Sequence, residues 1–230
     1  QKIDALFDAG LRNITLGFYG TAEAYDRYVG RADRFRKLEE ALRYVRSRYG
    51  CELSLQLNYL VMRPSCSLPA LRAAWEFAER FDMTFHTDLI HYSLPYFTDG
   101  TEGDLRFTHD DLPAIENFVT ALSDLKRRHP VRIRESLASI HSIPDWLMKG
   151  PEMRVPCDAK NLIWVGADGS VQLCYVTFRL GNIRQRPLRE MLFTETHRAA
   201  ARSAFRLDCP NCHCERDSRI MKDLASRIRY

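Results

Sequence analysis

No apolar run in this sequence approaches the roughly 20 residues that a membrane-spanning helix takes, so a membrane protein is not expected. Neither sign of charge dominates. Against 34 Lys and Arg stand 30 Asp and Glu, and the net charge is only +4. The basic residues are mixed with acids, which gives no case for nucleic acid and leaves a polar or anionic substrate open. There is no internal repeat and no low-complexity tract. Cysteine is scarce outside one segment: five of the seven lie between Cys157 and Cys214. The chain begins with Gln and without a signal-like stretch, so it is expected to be a piece of a longer protein. Clustered cysteines without a secretory signal are expected in a reducing cytoplasm, as metal ligands and not as disulfides.

What is present describes an ordinary folded chain. The 230 residues are 45% hydrophobic and 28% charged, enough for one large or two smaller domains. The organising stretch opens PCDAKNLIWVGADGSVQLC and closes CPNCHC. Leu162–Val165 and Val171–Leu173 flank a Gly166-Ala167-Asp168-Gly169 turn, the pattern of a β-hairpin. A hairpin returns its ends to one place, so Cys157 and Cys174 should be neighbours. Cys209 and Cys212 form a pincer on one turn, with Cys214 beside them. Four thiolates converging suit Zn²⁺ or an iron–sulfur cluster, and spacing alone does not separate the two.

Upstream, strand-like and helix-like stretches alternate. Ile3–Gly10 reads as a short helix and 13–20 as a strand. Phe35, Leu38, Leu42, Val45 and Tyr49 place an amphipathic helix over 34–49. Residues 52–62 read as a second strand, and Ser67 caps a helix over 68–81. Residues 83–92 make a third strand, a polar loop follows over 93–110, and 111–128 is helical. Helices between strands predict βα units and a parallel sheet. In each strand one alternate set is apolar. Ile14, Leu16 and Phe18 oppose Thr15, Gly17 and Tyr19. Leu55, Leu57 and Tyr59 oppose Gln56 and Asn58, and Phe85 and Leu89 oppose His86 and Asp88. Fully covered parallel strands read apolar throughout. One face here must meet something polar, as in a barrel or half-barrel around a polar ligand.

The Cys157–Cys214 segment resembles the SPASM/twitch domain of radical S-adenosylmethionine (SAM) enzymes. Gly169 to Cys174 is its G-x4-C, Leu180-Gly181-Asn182 its LGN piece, 188–205 its helix, and Cys209-x2-Cys212 its closing pair. Phe18-Tyr19-Gly20 with Glu23, Asp26, Gly30 and Phe35 resembles the fourth strand and following loop of the family's partial (β/α)6 barrel. Gly17 stands where many relatives have a SAM-contacting Ser. Tyr19, Tyr25 and Val29 stand where they have Asp, His and Arg. The family's C-x3-C-x2-C loop, which holds the SAM-cleaving cluster, does not occur here, and Cys51 and Cys66 cannot replace it. As given, the chain should not cleave SAM.

The resemblance implies an α/β fold: the C-terminal half of a radical SAM partial barrel over 1–130, a linker over 131–155, and a small α+β SPASM/twitch domain with a β-hairpin over 156–230. It implies one auxiliary [4Fe–4S] cluster on four of Cys157, Cys174, Cys209, Cys212 and Cys214. It also implies SAM and a second [4Fe–4S] cluster in the full-length parent. Gly17, Tyr19, Asn58 and His86 are the candidate cofactor-binding residues. His86 and Asp88 share a face, with His91 pointing the opposite way. Trp164 is expected to pack beside the cluster, and Asp217–Tyr230 to form one basic amphipathic helix. The parent would be a maturase that abstracts a hydrogen atom from a peptide or protein substrate, with an electron donor such as flavodoxin or ferredoxin. The alternative is a non-catalytic binding module with a structural zinc site of four cysteines.

Overall fold

A computed structural model describes residues 2–91, 105–157, 162–174 and 177–230. The chain divides into two compact units. The first runs to Ile90 and resumes through Pro144; the second contains His91 and Asp145–Tyr230.

The first unit opens with α1 (Lys2–Asp8), β1 (Asn13–Phe18), α2 (Glu23–Val29) and α3 (Arg34–Tyr49). It continues with β2 (Ser54–Val61), α4 (Leu68–Arg80), β3 (Thr84–Leu89), α5 (Leu112–Arg128) and α6 (Leu137–His141). The strands form a parallel sheet in the order β1-β2-β3. Short helices and the expected alternation of α and β are both present, so the chain is α/β. The periodic pattern placed most elements within two residues. α2 was not expected; its last turn ends on left-handed Gly30, a backbone that costs a residue without Cβ little. Ser67 caps α4, its side chain accepting from the Ala70 N–H.

Alternation set the burial. Leu55, Leu57, Tyr59 and Val61 are buried on β2, and Phe85, Thr87 and Leu89 on β3, while Gln56, Asn58, His86 and Asp88 stay partly accessible. The buried face packs against helices through aromatic contacts, Phe18 with Phe77 at 5.0 Å and Tyr59 with Phe118 at 6.1 Å. Beyond β3 the chain from 132 to 134 adds a parallel rung, with Phe85 N–H donating to Arg132 O at 2.8 Å. The predicted third strand was too long: pairing stops at Leu89. The polar loop expected over 93–110 lies mostly outside the described residues.

The second unit takes up α7 (Ile143–Lys149) from Asp145 and continues with β4 (Trp164–Val165), β5 (Ser170–Cys174) and β6 (Thr177–Asn182), an antiparallel sheet in that order. Then come α8 (Glu195–Arg206), α9 (Arg216–Lys222) and α10 (Leu224–Arg229). Val171, Leu173, Leu180, Met191 and Ala204 form its core. The helix expected over 188–205 begins later. Leu188–Glu190 is a 3₁₀ turn, and α8 starts after Thr194, whose side chain accepts from the His197 N–H. Side-chain capping by Thr194 outweighs the apolar spacing of Leu188 and Met191. The tail is two helices, not one. Asp223 takes an extended conformation, and its carboxylate accepts from Ser226 N–H to cap α10. Among the described residues no helix is long and apolar enough to cross a membrane.

Candidate metal centre

The turn of the β4–β5 hairpin is fixed from three directions. Gly169, at φ +83°, donates to Gly166 O at 2.9 Å. Asp168 Oδ1 accepts from Ser170 N–H at 3.0 Å. Asn182 Nδ2 donates to Asp168 O at 3.1 Å, and Arg184 Nη2 to Ala167 O at 3.1 Å. The glycine of G-x4-C is therefore a left-handed turn residue, and the asparagine of LGN ties β6 back onto that turn. Gly181 is set by packing: a Cβ there would meet Met191 Sδ at 2.7 Å. Trp164, expected to pack beside the cluster, is 46% exposed.

Cys157 and the Cys209–Cys214 segment are joined by two buried polar residues that no sequence pattern singled out. Asn211 has φ +52° and is buried. Its Nδ2 donates to Pro151 O at 2.8 Å and to Met153 O. Arg219, on α9, is 1% exposed. It donates from Nη1 to Cys212 O at 2.6 Å, and from Nη2 to Val155 O and to Asn211 Oδ1 at 3.0 Å. These bonds hold the extended segment leading into Cys157 against the CPNC turn, and Cys157 packs on Leu207. The guanidinium stacks on Trp146, 4.8 Å from the ring centre.

Four thiols gather around that cation. Cys157, Cys209, Cys212 and Cys214 all act electrostatically on Arg219, and Cys209 also feels Cys212 and Cys174. Burial pushes the Cys209 thiol up. The Cys212 thiol is pulled down to about 6, first by the hydrogen bond from Cys214 and against the cost of burial. His213 is held neutral by burial, helped by repulsion from His91, Arg216 and Arg219. Cys51 and Cys66 belong to the first unit. Cys51 is exposed, and burial raises the Cys66 thiol to about 12.

His91 does not lie on the strand face opposite His86. The ladder ends at Leu89, Ile90 N–H donates to Val61 O at 3.1 Å, and His91 falls in the second unit. There it is buried with its ring 5.2 Å from that of His213. The ligating atoms of His91, Cys212 and Cys214 lie within 4.8 Å of one another.

In the first unit the cofactor candidates form a row. Gly17 pairs with Asn58 and Asn58 with His86, so the three stand side by side on the accessible face of β1, β2 and β3. Tyr19 covers Gly17: a Cβ at 17 would overlap its hydroxyl. Tyr19 stacks on Tyr28 at 4.1 Å. His86 Nδ1 lies 3.1 Å from Glu135 Oε1, a buried carboxylate that also accepts from Thr87 Oγ1 at 2.5 Å. Glu135 was missed because it lies past the helix predicted over 111–128, in the stretch expected to be a linker. Asp88 accepts from the N–H of Leu89 at 2.9 Å. Asp26 Oδ1 accepts from the Phe35 N–H at 2.8 Å, which ties the loop after β1 to the start of α3.

Residues 157–215 match the family model for SPASM, an iron-sulfur cluster-binding domain. No protein of curated function matches in sequence. Among solved structures, native anSMEcpe with bound AdoMet matches at a TM-score of 0.60 and 17% identity, covering 94% of this chain and 59% of that one. Native anSMEcpe with bound AdoMet and Kp18Cys peptide matches at 0.58 and 18% identity, covering 90% and 58%. The hexahistidine-tagged form of anSMEcpe with bound AdoMet matches at 0.61 and 17% identity, covering 95% and 61%. At such identity the likeness concerns the fold. Residues 157–215 thus carry the SPASM match, and the fold of the chain is similar to that of anSMEcpe. The chain spans about three-fifths of the length of the structures it matches, 59% of the first.

Proposed function

We propose that this chain is the later part of a radical SAM maturase and holds one auxiliary [4Fe–4S] cluster in its second unit. The supporting observation is Arg219. A guanidinium stays protonated in a protein, and an uncompensated buried charge is expensive. Arg219 makes no ion pair with any carboxylate among the described residues, and its buried Nε has no hydrogen-bond partner. Four cysteine sulfurs face it instead. An anionic thiolate-bound centre supplies the missing negative charge, and soft sulfur donors suit iron–sulfur. Four of Cys157, Cys174, Cys209, Cys212 and Cys214 are the proposed ligands, Cys157, Cys174 and Cys212 among them; Cys174 enters through its electrostatic coupling to Cys209.

When bound, SAM and its own cluster would supply hydrogen-atom abstraction, and the auxiliary cluster a route for an electron or a hold on the substrate. The chain's own residues do the rest. The row Gly17, Asn58 and His86 presents a partly polar face of a three-stranded parallel sheet, taken as the later half of a partial barrel lining the SAM cavity. Tyr19 roofs one end of that row, and Glu135 holds the His86 ring. A peptide or protein substrate is the class favoured, since a structural neighbour is described with a bound peptide. An electron donor such as flavodoxin or ferredoxin, and a cytoplasmic setting, go with this reading.

The test is composition. Anaerobically isolated protein should be brown, with broad visible absorption and iron and sulfide in equal amounts. Colourless protein carrying one zinc per chain would refute the cluster. Cys157→Ala and Cys174→Ala should each abolish the iron, and Cys51→Ala should leave it.

A further inference from the structure

The tightest group of metal-donor atoms among the described residues is not all sulfur. His91, Cys212 and Cys214 bring their ligating atoms within 4.8 Å of one another. His91 is 7% exposed. Its ring is backed by His213, which is edged in turn by Trp146 at 5.4 Å. A packed aromatic backing holds an imidazole in one orientation, which is what a ligand needs. The CPNC turn that carries Cys212 is anchored by Asn211 and Arg219, so both sides of the triad rest on buried structure.

Spacing indicates what such a triad can hold. Around one tetrahedral ion, with bonds of about 2.0–2.3 Å, donor atoms stand roughly 3.5–3.8 Å apart. Ligands of a four-iron cluster bind separate iron atoms and so stand wider. The triad's widest separation would need to close by no more than about 1 Å to grip a single ion, but would have to open for two of its members to serve one cluster.

We propose that His91, Cys212 and Cys214 form a nitrogen–sulfur site for one borderline-soft divalent ion, zinc foremost. The site is distinct from the all-cysteine set, and it excludes the cluster because Cys212 serves both. That exclusion rests on the cluster reading; the ion site does not. Binding forms two thiolate–metal bonds, any proton still on a thiol leaving to solvent, adds one bond from neutral imidazole, and moves no electron. Water or Cys209 completes the tetrahedron. Loss of the cluster then leaves a knot that a single zinc ion can keep closed.

The experiment uses the full chain, stripped of iron anaerobically and titrated with Co²⁺ as a coloured surrogate for zinc. Wild-type protein should bind one equivalent, with tetrahedral ligand-field bands and thiolate charge-transfer absorption. His91→Ala should weaken binding by about 100-fold or more, since loss of a mere outer partner already costs about 10–100-fold. Cys174→Ala, which removes a proposed cluster ligand, should bind cobalt like the wild type. Equal affinity in His91→Ala, loss of binding in Cys174→Ala, or no tetrahedral cobalt in the wild type overturns the triad. Should His91→Ala fail to fold, X-ray absorption of the zinc-loaded wild type decides. An imidazole among the donors supports the site, and four sulfurs with no nitrogen refute it. Iron and sulfide in the untreated protein report on the cluster separately.

Discussion

Arg219 donates from Nη1 to the carbonyl oxygen of Cys212 at 2.6 Å, and so sets a buried positive charge against the turn that presents the cysteine pair. Placed there, the guanidinium does two jobs. It stitches the segment before Cys157 to the turn, and it favours any added negative charge on a centre bound by the sulfurs. Arg219→Met keeps the bulk and loses the charge. On the cluster reading its reduction potential should fall by on the order of 100 mV, since a unit charge at contact range is worth about 4 kcal/mol or less at an effective dielectric near 20. Arg219→Lys should shift it less. Spectroelectrochemical titration of the three proteins checks this, and an unchanged potential in Arg219→Met means that the charge is not felt by the centre.

Gly17 is required by Tyr19. A Cβ at 17 would overlap the Tyr19 hydroxyl, so Gly17→Ala should displace the ring from its stack on Tyr28 and destabilise the chain by about 1 kcal/mol. Because the clash is with the tip of a movable side chain, the cost should vanish when Tyr19 is also Ala. A double-mutant cycle by urea denaturation measures the coupling; additive effects would show that the glycine is there for another reason.

Glu135 extends the β3 ladder where backbone pairing stops. Its carboxylate accepts from the N–H and hydroxyl of Thr87, and sits 3.1 Å from His86 Nδ1. Glu135→Ala strands a buried N–H and should cost about 1–3 kcal/mol, with Glu135→Gln costing less because it keeps an acceptor. Chemical denaturation ranks the two variants.

The N-terminal helix is pinned by a carboxylate between two phenols. Asp4 accepts from Tyr49 and from Tyr44, the latter at 2.7 Å. The Tyr49 hydrogen bond, then that of Tyr44, holds the Asp4 carboxyl well below its ordinary 3.8. The same bond raises the Tyr49 phenol from 10.0 to about 12. A depressed acid stabilises the fold fully above its unfolded pKa and loses that as pH falls through the folded one. The raised phenol stabilises fully below its unfolded pKa and loses that as pH climbs through about 12. The melting-temperature gap between wild type and Tyr49→Phe should therefore be flat from about pH 5 to 9 and close at both extremes. A gap that persists in strong acid would sink this account.

Much of the fold was legible because it rests on period. Leu55, Leu57 and Tyr59 alternate against Gln56 and Asn58, and their burial follows that alternation. The paired glycines and Asp168 announced the hairpin turn through backbone preference alone. Capping was read well at Ser67 and missed at Thr194 and Asp223, where local side-chain bonds overrode apolar spacing. Glu135 and Asn211 carried no period to read, since each acts on a partner far away in sequence.

The residues themselves determined the cysteine inventory, the alternating strands, the left-handed turn at Gly169 and the SPASM resemblance, because each depends on neighbours within a few positions. Only the tertiary structure decided that Arg219 leaves a surface-like basic tail to sit among the sulfurs. It alone took His91 from the end of a strand to Cys212 and Cys214. Both outcomes come from long-range packing of buried polar groups, which must find partners wherever the folded chain offers them.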